Sequence, residues 1–213
     1  MKFDKSSMLL YAVTDNAWAI EKTLYAQIEE ALIGGATCIQ LREKEMSDED
    51  FLNEALEVKK LCHKYNVPFY INDNVNVAIA CKADGIHVGQ HDMEAGNVRK
   101  LIGNDMFLGV SAQTVKQALL AEEQGANYLG VGAVFTTSTK LDADFVPYDT
   151  LKEICKTVNI PVVAIGGIYK HNIMELQGSG VSGVALVSAI FAADNIEKEC
   201  NELYTLSESM VNK

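Results

Sequence analysis

Three polar clusters in this chain each close an apolar run: Asn72-Asp73, Gln90-His91-Asp92 and Thr137-Ser138-Thr139-Lys140. Carboxylates, hydroxyls and an ammonium are the groups that hold a hard cation and phosphate oxygens. Asp73 and Asp92 would end neighbouring strands, about 5 Å apart, where two carboxylates can meet one cation. Magnesium takes one or two protein carboxylates and fills its shell with water and phosphate oxygens, so this pair suffices for Mg2+. The competing reading makes both aspartates helix caps ahead of Val75 and Glu94.

A fourth run ends in Gln40-Leu41-Arg42-Glu43-Lys44. Strand side chains alternate faces, so Gln40, Arg42 and Lys44 project one way and Leu41 and Glu43 the other. Two cations on one inner face call for anionic ligands. Surface ion pairs to Glu43 or Glu45 are the plainer alternative. The stretch from Thr136 to Lys140 gathers hydroxyls, backbone amides and a cation, an anion grip without the glycine spacing of a Walker loop. An ordinary hydroxyl-rich loop would read the same way. Gly166-Gly167 and Val187-Ser188-Ala189 fall where barrels bind phosphate through backbone amides, although tight packing also selects glycine.

Other side chains say less. His87 lies within a strand and reads as a core residue, His63 and His171 as surface, and His91 as able to reach the mouth. Ser111 ends a strand with no histidine and acid matched to it, which makes it a ligand-binding hydroxyl rather than a hydrolase nucleophile. Five scattered cysteines suggest neither a zinc site nor disulfides, and reduced, buried thiols are expected.

The elements that must position these groups follow from apolar patterning. Near-continuous runs at 9–15, 38–44, 68–73, 85–89, 107–112, 128–135, 161–167 and 183–190 read as strands covered on both faces. Amphipathic segments at 21–32, 48–63, 75–81, 95–101, 115–124, 148–157, 171–176 and 196–210 read as helices between them. Glycines at Gly34-Gly35, Gly125 and Gly180 mark returns from helix to strand. Eight such units in 213 residues imply one single (β/α)8 TIM barrel as a catalytic domain over 1–213, with an open doubly wound sheet as the alternative.

The formal net charge of −11 argues against nucleic acid and anionic membranes as partners. No apolar stretch reaches the roughly 20 residues of a membrane helix, and no secretory leader is read at the start, so a cytoplasmic location is expected. Self-association into a homo-oligomer is left open.

These residues, in this order, resemble the thiamine phosphate synthase family. The resemblance rests on YAVTD at 11–15, QLREK at 40–44, YIND at 70–73, ADGIHVGQHD at 83–92, GVSA at 109–112, GVGAVFTTSTK at 130–140, AIGGI at 164–168 and VSAIF at 187–191. It implies a TIM-barrel transferase of thiamine biosynthesis. Such an enzyme joins 4-amino-2-methyl-5-hydroxymethylpyrimidine diphosphate to 4-methyl-5-(2-hydroxyethyl)thiazole phosphate, releasing pyrophosphate and forming thiamine monophosphate with magnesium.

By the same resemblance Gln40, Leu41, Arg42, Glu43, Lys44, Asn72, Ser111 and Lys140 hold the pyrimidine diphosphate, and Asp73 and Asp92 bind the metal. Thr137, Ser138, Thr139, Gly167, Val187 and Ser188 hold the thiazole phosphate. Arg42, Lys44, Ser111 and Lys140 are then the catalytic set. Two departures stand out: Gln113 where relatives often have histidine, and Thr136 and Ser138 where they often have proline. A thiazole tautomerase sharing the barrel tends to lose the aspartates and use that histidine, and a non-catalytic phosphate-binding barrel needs neither Lys140 nor the aspartates. Asp73, Asp92 and Gln113 favour the synthase over both.

Overall fold

The computed structural model describes residues 3–136 and 145–212. Eight parallel strands follow one another around a closed barrel: β1 (Leu10–Val13), β2 (Cys38–Leu41), β3 (Phe69–Asn72), β4 (Gly85–Val88), β5 (Phe107–Ala112), β6 (Tyr128–Val131), β7 (Val162–Ile165) and β8 (Gly183–Leu186). β8 pairs back onto β1, with Tyr11 opposite Ala185, so the sheet has no open edge. This is the (β/α)8 barrel expected from the patterning, and closure excludes the doubly wound alternative.

Outside the strands run α1 (Leu24–Ile33), α2 (Asp48–Lys64), α3 (Val75–Cys81), α4 (Ala95–Ile102), α5 (Val115–Glu123), α6 (Tyr148–Thr157), α7 (Ser188–Phe191) and α8 (Ile196–Val211). Short polar side chains start many of them. Thr23, Ser47, Asn74, Thr114 and Asn195 each accept a hydrogen bond from a backbone N–H in the first turn of α1, α2, α3, α5 and α8. The cap of α3 is therefore Asn74 and that of α4 is Glu94, which leaves Asp73 and Asp92 available for another role.

Two segments depart from the sequence reading. The run at 183–190 leaves the sheet after Leu186 and becomes α7, because a short apolar run does not by itself distinguish strand from helix. The helix expected at 171–176 is a 3-10 turn, Ile173–Leu176. No helix among the described residues is long and apolar enough to cross a membrane, and all five cysteines are free.

Strand parity divides the apolar residues into two cores. Outward residues such as Leu10, Ile39, Leu41, Ile71, Ile86, Leu108 and Leu129 pack under the helices. Inward residues form a second cluster around Tyr11, Cys38, Tyr70, Phe107, Tyr128 and Val163. Two of the three tyrosines fit because a neighbouring strand offers glycine at the paired position, Tyr70 opposite Gly85 and Tyr128 opposite Gly109, while Tyr11 stands opposite Cys38 and Ala185. A methyl group at Gly85 would stand 2.1 Å from the Tyr70 ring, and one at Gly109 would stand 2.1 Å from that of Tyr128. Overpacking of this kind costs about 1–3 kcal/mol. Gly85→Ala is accordingly expected to lower the urea midpoint by an equivalent amount, and an unchanged midpoint would show that the tyrosine layer has slack.

Candidate active site

A cavity of about 170 Å³ opens along the barrel axis, lined by Tyr11, Gln40, Arg42, His87, Ser111 and Tyr128 on one side and by Gly166, Gly167, Tyr169, Val187 and Ser188 on the other. Pairing in the sheet explains the first group. Gln40 lies opposite Val13 and Tyr70, His87 opposite Asn72 and Gly109, and Ser111 opposite Gly130, so residues of equal parity on six strands face one space.

The polar groups of this inner wall are hydrogen-bonded in series. The Gln40 amide donates to Tyr11 Oη at 2.8 Å, the Tyr11 and Tyr128 hydroxyls are 2.9 Å apart, and Tyr128 Oη is 3.0 Å from His87 Nδ1. His87 Nε2 is 3.0 Å from Ser111 Oγ. Ser111 thus has a histidine partner that the sequence reading does not supply, because the pair is made by adjacency of β4 and β5. The group behind that histidine is a tyrosine hydroxyl rather than a carboxylate, so the arrangement is still no hydrolase triad. Burial, first of all, pushes the Tyr11 and Tyr128 hydroxyls well above the ordinary tyrosine range.

A second polar group collects at the rim. Lys44 Nζ lies 2.5 Å from Asp73 Oδ2, and the Asn72 amide donates to Asp73 Oδ1 at 2.8 Å. Asp73 itself adopts a left-handed backbone, φ 61°, with its N–H bonded to the His87 carbonyl at 2.8 Å. Aspartate tolerates that region better than most residues. Asp92 folds back so that the Gly89 N–H donates to its Oδ2 at 2.7 Å, and a methyl group at Gly89 would stand 2.9 Å from that oxygen. Burial raises the Asp73 carboxyl above the usual range, Lys44 draws it down, and the adjoining Asp92 carboxylate pushes it up again. Two carboxylates facing each other beside one ammonium are a hard-oxygen donor set that fits a divalent cation. Among the described residues no group of three or more His, Cys, Asp or Glu gathers as a metal cluster.

Arg42 spans the two groups: its side chain lines the cavity, NH1 lies 3.6 Å from Asp15 Oδ2, and its N–H donates to Thr14 Oγ1 at 2.9 Å. Neither Arg42 nor Lys44 pairs with Glu43 or Glu45, so the plainer reading of those cations is not what the fold builds. Across the cavity, Gly166 and Gly167 both take positive φ, 97° and 67°, and line it together with Ser188 at the start of α7. Tyr169 Oη is 2.8 Å from Ser188 Oγ, and Asn172 holds the turn by donating to the Gly167 carbonyl at 2.9 Å.

Leu41 and Glu43 face away from the cavity, as strand parity expects. Parity turns Leu41 outward, fully buried under the helices, and turns Glu43 toward Asn16, whose amide donates to it at 2.7 Å, and toward Glu54. Thr137, Ser138, Thr139 and Lys140 lie outside the described residues. Tyr11, His87, Tyr128 and Tyr169 line the cavity without having been singled out as site residues; the signal for the first three was shared inward parity with Gln40 and Ser111.

The comparisons with known proteins agree with this geometry. A family model described as thiamine monophosphate synthase matches residues 10–190. The chain belongs to the thiamine monophosphate synthase family. Thiamine-phosphate synthase of Clostridium tetani is 47% identical over 194 residues, 91% of this chain and 93% of that one. The enzyme of that name from Methanobrevibacter smithii is 53% identical over 186 residues, 87% and 88% of the two chains. Thiamine phosphate pyrophosphorylase from Pyrococcus furiosus superposes with a TM-score of 0.90 at 36% identity, covering 98% and 99%. Membership in the thiamine monophosphate synthase family makes this chain a transferase enzyme of thiamine biosynthesis.

Glu43 gives this family member a pH-dependent stability. Burial chiefly, then Glu54 and Asp15, pushes its carboxyl up to about 7 from 4.5. Glu43 Oε1 and Glu54 Oε2 are buried with no hydrogen-bond partner, which a proton shared between the two would satisfy. A carboxyl raised on folding stabilises the fold fully below its unfolded value near 4.5, and that contribution is lost as pH rises through about 7. Thermal melts should show Glu43→Gln gaining on wild type above neutral pH with a flatter slope between those values. An unchanged pH profile would remove Glu43 from the balance.

Proposed function

We propose that this protein is a thiamine phosphate synthase whose single barrel domain couples 4-amino-2-methyl-5-hydroxymethylpyrimidine diphosphate to 4-methyl-5-(2-hydroxyethyl)thiazole phosphate, with magnesium as cofactor, in the cytoplasm. The observation that carries the reading is the meeting of the Asp73 and Asp92 carboxylates beside Lys44, at the rim of a cavity lined by Arg42, Ser111 and Ser188. Asp73 and Asp92 would hold a divalent cation there, which would supply Lewis-acid charge against the diphosphate.

In the proposed reaction the C–O bond between the pyrimidine methylene and the diphosphate breaks, and its electron pair leaves with pyrophosphate. The aminopyrimidine delocalises the charge left on the methylene. The thiazole nitrogen lone pair then forms the C–N bond, and no proton changes hands. What the residues must supply is alignment and stabilisation of the departing anion. Arg42, Lys44 and Lys140 neutralise charge on pyrophosphate while Asn72 and Ser111 orient it, the preorganised electrostatics that commonly form the largest catalytic contribution. Gly167, Val187 and Ser188, with the hydroxyls of Thr137, Ser138 and Thr139, grip the thiazole phosphate opposite. Holding both reactants in this way is worth about 7–11 kcal/mol of barrier.

Purified protein given both substrates should form thiamine monophosphate and pyrophosphate with magnesium and lose that activity on chelation. Absence of product in the metal-supplied reaction would overturn the reading. Asp73→Asn and Lys140→Ala should each lower kcat by about 100-fold or more, the scale on which single charge-stabilising groups act. Their melting temperatures should stay near that of wild type. Either variant turning over at the wild-type rate would take its residue out of the mechanism.

A further inference from the structure

The polar groups inside the barrel have more connectivity than substrate contact requires. Starting from β2, hydrogen bonds run from Gln40 to Tyr11 on β1, to Tyr128 on β6, to His87 on β4 and to Ser111 on β5. We propose that this series is a one-way hydrogen-bond chain that holds the Ser111 hydroxyl as a donor toward the anionic substrate, with Tyr128 and His87 as positioning residues for the reaction. The inference rests on the function proposed above.

Proton counting gives the direction. An amide nitrogen only donates, so Tyr11 Oη accepts from Gln40 and its own single proton must point onward. Tyr128 Oη lies within hydrogen-bond reach at 2.9 Å. Cys38 is a rival acceptor near Tyr11, but burial keeps it a thiol, whose sulfur is a weak acceptor beside a hydroxyl oxygen. Tyr128 then gives its proton to His87 Nδ1, leaving the imidazole with its hydrogen on Nε2. That hydrogen goes to Ser111 Oγ, so the serine proton is turned away from His87. Within the series, Tyr11, Tyr128 and His87 each accept from the member before and donate to the next. Both tyrosines are almost wholly buried, at 1% and 0% exposure, so water does not compete for these protons. Bonds in such a series polarise one another, strengthening each by about 10–30%.

Tyr70 provides an internal contrast. Its ring packs within 5.7 Å of Tyr11 and 5.6 Å of Tyr128, yet its buried hydroxyl has no hydrogen-bond partner and stands outside the series. Removing that hydroxyl changes the same core without touching the chain.

Steady-state kinetics of thiamine monophosphate formation by the full chain test the proposal. Tyr128→Phe should lower kcat about tenfold while KM for the pyrimidine diphosphate changes less than about twofold, the pattern of a contact that strengthens in the transition state. In a Ser111→Ala background the same substitution should cost less than about twofold, because coupled residues are not additive. Tyr70→Phe should keep the wild-type kcat. His87→Gln can accept from Tyr128 through oxygen and donate to Ser111 through nitrogen, so it should retain most activity, whereas His87→Leu should fall to the level of Ser111→Ala.

Undiminished loss from Tyr128→Phe in the Ser111→Ala background would overturn the chain, as would a His87→Gln enzyme no better than His87→Leu. Thermal melts identify any variant that fails to fold, and the decision then falls to the His87 pair. An inactive wild type would overturn the functional reading and this inference with it. An active wild type with additive losses would overturn the inference alone.

Discussion

Register between neighbouring strands is the constraint on which the site depends. Side chains alternate along each strand, and closure of eight strands leaves no freedom to slide one of them without breaking two ladders. A shift of β4 by one residue would turn His87 into the helix layer and Ile86 into the cavity. The pairing of Asn72 with His87 and of Ser111 with Gly130 therefore sets which polar groups meet. The large-to-small pairing of Tyr70 with Gly85 and Tyr128 with Gly109 reinforces the same register, since the rings fit only where the neighbour lacks a Cβ.

Given that register, charge is distributed by depth. The cations and carboxylates named for the rim, Arg42, Lys44, Asp73 and Asp92, follow the ends of their strands. The inward residues of the strands themselves are tyrosine, glutamine, histidine, serine and apolar groups. This order follows from solvation: an ion at the mouth keeps part of its water, whereas one inside the barrel would need a partner for every lone pair or proton. A chain with a net charge of −11 also needs its few cations placed where an anion arrives. Lys44 serves both purposes, since it offsets the repulsion between Asp73 and Asp92 and faces the proposed diphosphate site.

Much of this was legible before any coordinates. Near-continuous apolar runs ending in polar residues point to strands covered on both faces, and eight of them to the barrel, the doubly wound alternative falling only to the pairing of β8 with β1. The rim carboxylates were legible because both fall in the polar segments that close their strands, and Gln40 and Arg42 because parity is a local property. Three things were not. The end of β8 was misjudged because Val187 to Phe191 is apolar in either conformation, and the backbone turns there for reasons outside the run. The partnership of Ser111 with His87 is made across strands, and a single strand's pattern holds no record of what its neighbour presents. The segment at 171–176 was read as a helix, but it closes only a 3-10 turn, Ile173–Leu176, too short for its pattern to specify which.

The division between charged rim and uncharged interior also suits the chemistry proposed for the cavity. Ionisation of a diphosphate separates charge, with an anion forming at the metal side and a delocalised cation on the pyrimidine within. A carboxylate beside that cation would compete with the thiazole nitrogen for it, and an ammonium would oppose its formation. Tyrosine rings and hydroxyls avoid both outcomes, since an aromatic face attracts a cation without forming a bond to it. The same argument accounts for a relay of neutral hydrogen bonds behind Ser111 in place of an acid and base. No proton is transferred in forming the C–N bond, so what the interior must provide is fixed orientation, and a one-way series of neutral donors provides it with no net charge.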